Sequence, residues 1–128
     1  MRIRAQLELV AKLKGQKDKA KRQAMASSLM QDLGIDASYV KYQHQMSGGQ
    51  KKRAAIARAF IGNPQLMLAD EPNASLAPDR GQEITQLIRK QVTSKNGSAI
   101  MVTHDRSILP YVDTIYELTH GTLTRLEA

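Results

Sequence analysis

Three short runs of the sequence bring together residue types that suit the handling of phosphate and water. The first is Ser47-Gly48-Gly49-Gln50, followed by KKRAAIARAF. Two glycines let a backbone approach an anion with no Cβ in the way. At a helix start the free N–H groups and the helix dipole favour negative charge. The Ser47 hydroxyl can cap that helix or donate a hydrogen bond to a phosphate. Alone, the run also reads as an ordinary Ser-Gly-Gly turn. The second is LMLADEP, residues 66–72, an apolar run closed by two carboxylates. Asp70 can hold Mg²⁺ through water, because this hard cation keeps much of its hydration. Glu71 can orient or deprotonate an attacking water. Alone, this run also reads as an acidic strand-to-loop turn. The third is IMVTHD, residues 100–105, whose His104 can hydrogen-bond a terminal phosphate and sense its presence. His44 and His120 have no such setting and read as surface residues.

The spacing of apolar residues indicates the elements that carry these runs. Ile3, Leu7 and Val10 place a helix over residues 3–13, and Met25, Leu29 and Leu33 place another over 17–33. Gly34 stops the second, and residues 35–46 read as a connection. A third helix runs from Ser47 to about residue 61, with an alanine face of Ala54, Ala55 and Ala59 suited to close packing. Gly62-Asn63-Pro64 ends it. Residues 65–69 and 99–103 read as buried strands. Between them a helix over residues 79–95 buries Ile84, Leu87, Ile88, Gln91 and Val92. A short helix over 107–112 follows. Then 114–119 and 122–126 alternate around Gly121, as in an antiparallel hairpin at a sheet edge. Strand, helix, strand implies a crossover and a parallel pair. Parallel strands end on one edge, and ligands of open α/β sheets bind outside those ends. Asp70, Glu71 and His104 are therefore expected in one crevice.

Composition limits the function classes. The chain has 128 residues, 41% hydrophobic and 24% charged, which indicates one globular unit of ordinary domain size. Aromatics are only 4%, so the core must be aliphatic. With no cysteine, disulfides, thiol catalysis and thiolate metal sites are excluded, in keeping with a reducing compartment. The start, MRIRAQLELVAKLKG, has neither an unbroken apolar stretch nor a small-residue cleavage site, and no signal peptide is expected. No run approaches the ~20 apolar residues of a membrane span. The net charge of +7 gathers in Lys12, Lys14, Lys17, Lys19, Lys21 and Arg22, and in Lys51, Lys52, Arg53 and Arg58. A solvated helix face is the plain reading; nucleic acid or an anionic membrane is the functional one. No aromatics interleave with these charges, which argues against stacking on single-stranded nucleic acid.

Taken together, the three runs resemble the motifs of the ATP-binding-cassette (ABC) ATPases. MSGGQKKRAAIARAF is similar to the family's signature motif and following helix, LMLADEP to its Walker B strand and catalytic glutamate, and MVTHD to its switch histidine. Order and spacing agree: Asp70 lies 23 residues after Ser47, and His104 lies 34 after Asp70. The resemblance implies an α/β fold. This would be a partial P-loop NTPase (RecA-like) core with parallel strands, a helical subdomain segment and a C-terminal antiparallel hairpin. It assigns residues 1–46 to the helical subdomain, and 47–128 to the signature helix and the carboxyl-terminal half of the core.

It also implies an ATP-binding and ATP-hydrolysing subunit of a transporter, with ATP and Mg²⁺ as ligands. Ser47, Gly48, Gly49 and Gln50 would meet ATP held by a second, facing cassette. Asp70, as metal ligand, and Glu71 and His104, as catalytic residues, would act on ATP of their own subunit. The implied partners are that second cassette and transmembrane permease subunits, with the chain at the cytoplasmic face of the membrane. The wording of LADEP and MVTHD is most similar to exporter-type cassettes of the lipoprotein-releasing, macrolide-export and heterocyst-exporter groups.

The sequence also departs from the pattern. No phosphate loop G-x-x-x-x-G-K-[ST] is present, nor any Gly-Lys pair. An N-terminal half carrying that loop is therefore expected elsewhere, with little ATP affinity in this chain alone. Met46 replaces the usual Leu, Asn73 stands where Thr is common, and Ala77 stands where the family's D-loop aspartate is expected. Two other readings stay open at this level. One is a nucleic-acid-associated ABC ATPase, marked by salt-steep binding to DNA or RNA. The other is a non-enzymatic or decayed module that lends its signature motif to a partner, marked by binding to a full cassette without ATPase activity.

Overall fold

In the computed structural model the described residues are 2–35, 48–74 and 76–126. Their elements, in chain order, are α1 (Ile3–Leu13), α2 (Lys19–Asp32), α3 (Gly48–Phe60), β1 (Leu66–Asp70), α4 (Pro78–Ser94), β2 (Ser98–Val102), a 3-10 helix (Arg106–Tyr111), β3 (Ile115–Thr119) and β4 (Thr122–Leu126). The connection over residues 36–46 and the helix-opening Ser47 lie outside the described residues.

The helices pack as their apolar spacing directs. From α1 come Ile3, Leu7 and Ala11, and from α2 Ala26, Leu29 and Met30, all buried. Val10 and Met25 are only partly buried against this cluster. The α2 start is two residues later than its spacing suggests, because Asp18 caps it: its carboxylate accepts from the backbone N–H of Ala20 (2.9 Å) and Lys21 (3.3 Å). At the other end Gly34 has φ 69°, a left-handed turn that suits glycine, and a Cβ there would lie 2.8 Å from the Arg53 guanidinium.

One alanine expectation needs correction. The face of α3 that packs is Ala54, Ile56, Ala57 and Phe60; Ala55 and Ala59 are exposed. The three alanines named from sequence do not share one side of a 3.6-residue helix, and Ala54 packs with Ala57 instead. Side chains tie α3 to its neighbours. Arg53 donates to the Leu33 carbonyl (3.3 Å) and pairs with Glu83 of α4. Arg58 donates to Gln6 Oε1 of α1 (2.9 Å). Lys95, after α4, donates to the Phe60 carbonyl (3.3 Å), satisfying an end group of α3, and lies over the Phe60 ring. Burial pushes the Lys95 ammonium below its ordinary pKa, with the charge of Asp32 partly opposing.

The strands β1 and β2 pair in parallel, with Leu66 opposite Ser98 and Asp70 opposite Val102. The expected burial of these strands holds on one face only. Met67 and Ala69 are buried, while Leu66 (52%), Leu68 (72%), Ile100 (57%) and Val102 (57%) stay exposed. Alternating side chains point to opposite faces, and among the described residues the helices cover only one of them. The hairpin β3–β4 is antiparallel and turns through His120 (φ 51°) and Gly121 (φ 76°), two positive-φ residues as a type I′ turn requires. It forms its own two-stranded sheet and not the edge of β1–β2.

Ala77 is the N-cap of α4, extended at φ −61° and ψ 152°, with no side-chain cap hydrogen bond. Ala77→Asp should supply one and raise stability by about 0.5–2 kcal/mol. Thermal denaturation checks this; an unchanged or lower midpoint would show that the first turn of α4 has no use for a carboxylate.

Candidate functional site

The carboxyl ends of β1 and β2 build one cluster of polar groups. Asp70 ends β1 on the exposed side, continuing the alternation of Leu66 and Leu68. Glu71 breaks that alternation. Its backbone N–H donates to the Val102 carbonyl (2.8 Å), extending the pairing by one residue. Its φ is 48°, in the left-handed region that non-glycine residues seldom adopt, at a cost of about 1–3 kcal/mol. The turn moves the Glu71 side chain to a partly buried place facing β2.

His104 comes to meet it from the end of β2. Its Nε2 lies 3.5 Å from Glu71 Oε1, which is close enough for attraction when the ring is protonated but long for a hydrogen bond. The two side chains differ sharply in setting: His104 is 98% exposed and Glu71 33%. Glu71 Oε1 itself is buried without a hydrogen-bond partner. An acceptor in that state carries a desolvation cost, relieved when a water or ligand donor reaches it. The expected meeting of the two strand ends is thus seen for Glu71 and His104, with Asp70 beside them along the chain.

A second layer behind this pair went unread in the sequence. Asn73 is buried, donates to Asp105 Oδ2 (2.7 Å) and accepts from Thr103 Oγ1 (3.3 Å). Thr103 Oγ1 accepts from the Asp105 N–H (3.0 Å). Asp105 then caps the 3-10 helix, taking the Ser107 N–H (2.8 Å) and hydroxyl (2.6 Å). The residues on either side of His104 are therefore bonded to the loop that follows Glu71. Asn73 also presses on α4, where a Cβ at Gly81 would sit 3.0 Å from the Asn73 Cβ. The sequence signal was present in the Asn at a position read as a departure, but a lone polar residue does not name its partners.

The Ser47–Gln50 run is placed only in part. Gly48, Gly49 and Gln50 form the first turn of α3; Ser47 lies outside the described residues. Neither glycine has a positive φ, and a Cβ at either would meet no described atom within 4 Å. Nothing inside the described chain therefore demands glycine at these two positions. Among the described residues no group of three or more His, Asp and Glu side chains could cage a metal ion. A magnesium ion held by one carboxylate, water and phosphate oxygens needs no such cage, and Asp70, exposed at the end of β1, fits that donor set.

This architecture is shared with proteins of known class. The sequence pattern of the ABC transporter family matches residues 2–74. HrtA of Staphylococcus aureus strain Newman, named a hemin import ATP-binding protein, is 40% identical over 124 residues, 97% of this chain and 56% of HrtA. Among solved structures, cbiO1 of Clostridium perfringens, part of the ABC transporter complex cbiONQ, superposes with TM-score 0.85 at 26% identity, over 96% of this chain and 49% of cbiO1. The dimeric cassette MJ0796, bound to ADP and Pi, gives TM-score 0.82 at 28% identity, over all of this chain and 58% of its own. The chain belongs to the ABC transporter family. It is similar to ATP-binding subunits of that family and spans about half the length of the relatives it matches.

The bonds from Ser107 (hydroxyl, then N–H) hold the Asp105 carboxyl below its ordinary pKa, Asn73 adding to them and burial opposing. A carboxylate with a depressed folded pKa stabilises the fold fully above its unfolded pKa, and that contribution is lost as pH falls through the folded value. Asp105→Ala should lower stability at neutral pH, and the gap to wild type should close below the ordinary carboxylate range. Urea melts at neutral and acid pH check this; a gap that stays constant would mean the charge on Asp105 is irrelevant.

Proposed function

We propose that this chain is the carboxyl-terminal part of an ATP-hydrolysing subunit of an ABC transporter, with its phosphate loop supplied by a segment outside these 128 residues. The observation that carries the reading is the buried, unpartnered Glu71 oxygen at the carboxyl edge of a parallel strand pair, next to an exposed histidine. In this reading Glu71 aligns a water for attack on the terminal phosphate and accepts its proton. His104, whose side chain is exposed beside Glu71, donates to the same phosphate. Asp70 would hold Mg²⁺, which when bound would offset the negative charge of the phosphates.

Ser47, Gly48, Gly49 and Gln50 meet the ATP of a facing cassette. The open space at Gly48 and Gly49 supports this, because a backbone without Cβ atoms can approach phosphates from outside. Residues 1–46 form the helical-subdomain segment, and residues 47–128 the signature helix and the later half of the core. The dimeric MJ0796 bound to ADP and Pi and the cbiONQ complex support a second cassette and permease subunits as partners. No helix among the described residues is long and apolar enough to cross a membrane, and in this reading the permease subunits span it. We assign it to the exporter type on the wording of LADEP and MVTHD, while HrtA carries a hemin import name. Transport assays in inverted and right-side-out vesicles separate the two directions.

Two variants test the catalytic reading. This chain alone should show no micromolar affinity for Mg-ATP by calorimetry. Once it is combined with a segment carrying a phosphate loop and ATPase activity appears, Glu71→Gln should lower turnover at least ~100-fold and leave ATP binding intact, as loss of a catalytic base does. Unchanged turnover would remove Glu71 from its role. Gly49→Ala should hold or raise the stability of the isolated chain, by up to about 1 kcal/mol, and abolish ATPase activity in the assembled dimer. Full activity in that variant would mean no phosphate approaches this turn.

A further inference from the structure

The corner between α1 and α2 is left unused by the proposed chemistry. Between residues 12 and 22 the chain carries five lysines, Lys12, Lys14, Lys17, Lys19 and Lys21, all exposed. None of them has an ion pair among the described residues. The one acid in this stretch, Asp18, turns its carboxylate to the start of α2, accepting from two backbone N–H groups. Arg22 is also engaged, since its Nη1 donates to the carbonyls of Gln16 (3.1 Å) and Lys17 (2.8 Å) and holds the corner in shape. The lysine charge therefore faces outward from a fixed turn.

Two large apolar side chains stand among these charges. Leu9 is 43% exposed and Leu13 76%. Being four residues apart on α1, they share one side of the helix, opposite the buried Leu7 and Ala11 side. An isolated lysine cluster fits any polyanion. Lysines around an exposed leucine pair fit a surface with an anionic plane above an apolar layer. Single-stranded nucleic acid rewards aromatic stacking, and no aromatic residue lies in this segment; a duplex would use the lysines alone and have no use for the leucine pair.

We propose that the α1–α2 corner docks on an anionic lipid bilayer, the lysines lying in the headgroup plane and Leu9 and Leu13 entering the acyl boundary. The proposal does not depend on ATP or on the Glu71 site, so each can fail without the other. The full chain is mixed with vesicles of phosphatidylcholine alone or with phosphatidylglycerol added, and bound protein is measured by flotation. Binding should need phosphatidylglycerol and fall steeply with salt. It should weaken by roughly fivefold for each lysine neutralised to Gln, and also in Leu13→Ser, with circular dichroism unchanged. Leu68→Ser, on the uncovered sheet face, should leave binding as it was. Equal binding to neutral vesicles, loss of binding in Leu68→Ser, or indifference to Leu13→Ser would overturn the proposal. So would a DNA or RNA duplex that removes the protein from vesicles at equal phosphate concentration.

Discussion

The parallel pairing of β1 with β2 is the constraint on which the candidate site depends. Two strands in register, Leu66 with Ser98 through Asp70 with Val102, must end on the same edge. The Glu71 N–H bond to the Val102 carbonyl continues that register past the strand and turns the chain into a left-handed residue. Without the pairing, Glu71 and His104 belong to loops 33 positions apart in sequence. With it they come within 3.5 Å. Asn73, Thr103 and Asp105 then lock the two loops to each other in a partly buried polar network, with Ser107 completing the bonds to Asp105.

The first turn of α3 is positioned differently. It is held by the far half of its own helix, where Ala54, Ala57 and Phe60 enter the core. Arg53 binds that helix both to the end of α2 and to α4, and Arg58 binds it to α1. One continuous apolar cluster therefore joins all four helices to β1. The site at the strand ends is set by backbone pairing and the side-chain bonds of Asn73, and the turn Gly48–Gln50 by side-chain packing and two arginines.

The uncovered face of β1–β2 follows from the same layout. Leu66, Leu68, Ile100 and Val102 form a row of apolar side chains on the side opposite Met67 and Ala69. Contiguous apolar surface of this kind marks a place where something else packs. The relatives, of which this chain spans about half, have further chain with which to cover it.

Local rules made much of this protein legible. The 3.6-residue spacing of Ile3 and Leu7, or of Ile84, Ile88 and Gln91, states a helix and its buried side, because only one register puts those residues on a common face. The runs closed by Asp70-Glu71 and His104 placed the candidate residues at the strand ends, because that is where polar groups of an α/β sheet collect. Gly121 was visible as the turn of a hairpin, while the positive φ of His120 beside it was not. Other features rest on partners distant in sequence, and no local pattern contains them. Apolar residues at both strand faces cannot say which face the helices will reach. Three alanines on one helix cannot say which of them meets Phe60's side. Asn73 became the centre of a network only when folding brought Thr103 and Asp105 to it, and Asp18 spent its charge on a helix end, leaving five lysines outward. Spacing along the chain determined the elements and the chemistry they carry; pairing across the chain decided which groups face one another, because contact energies fall off within a few ångströms.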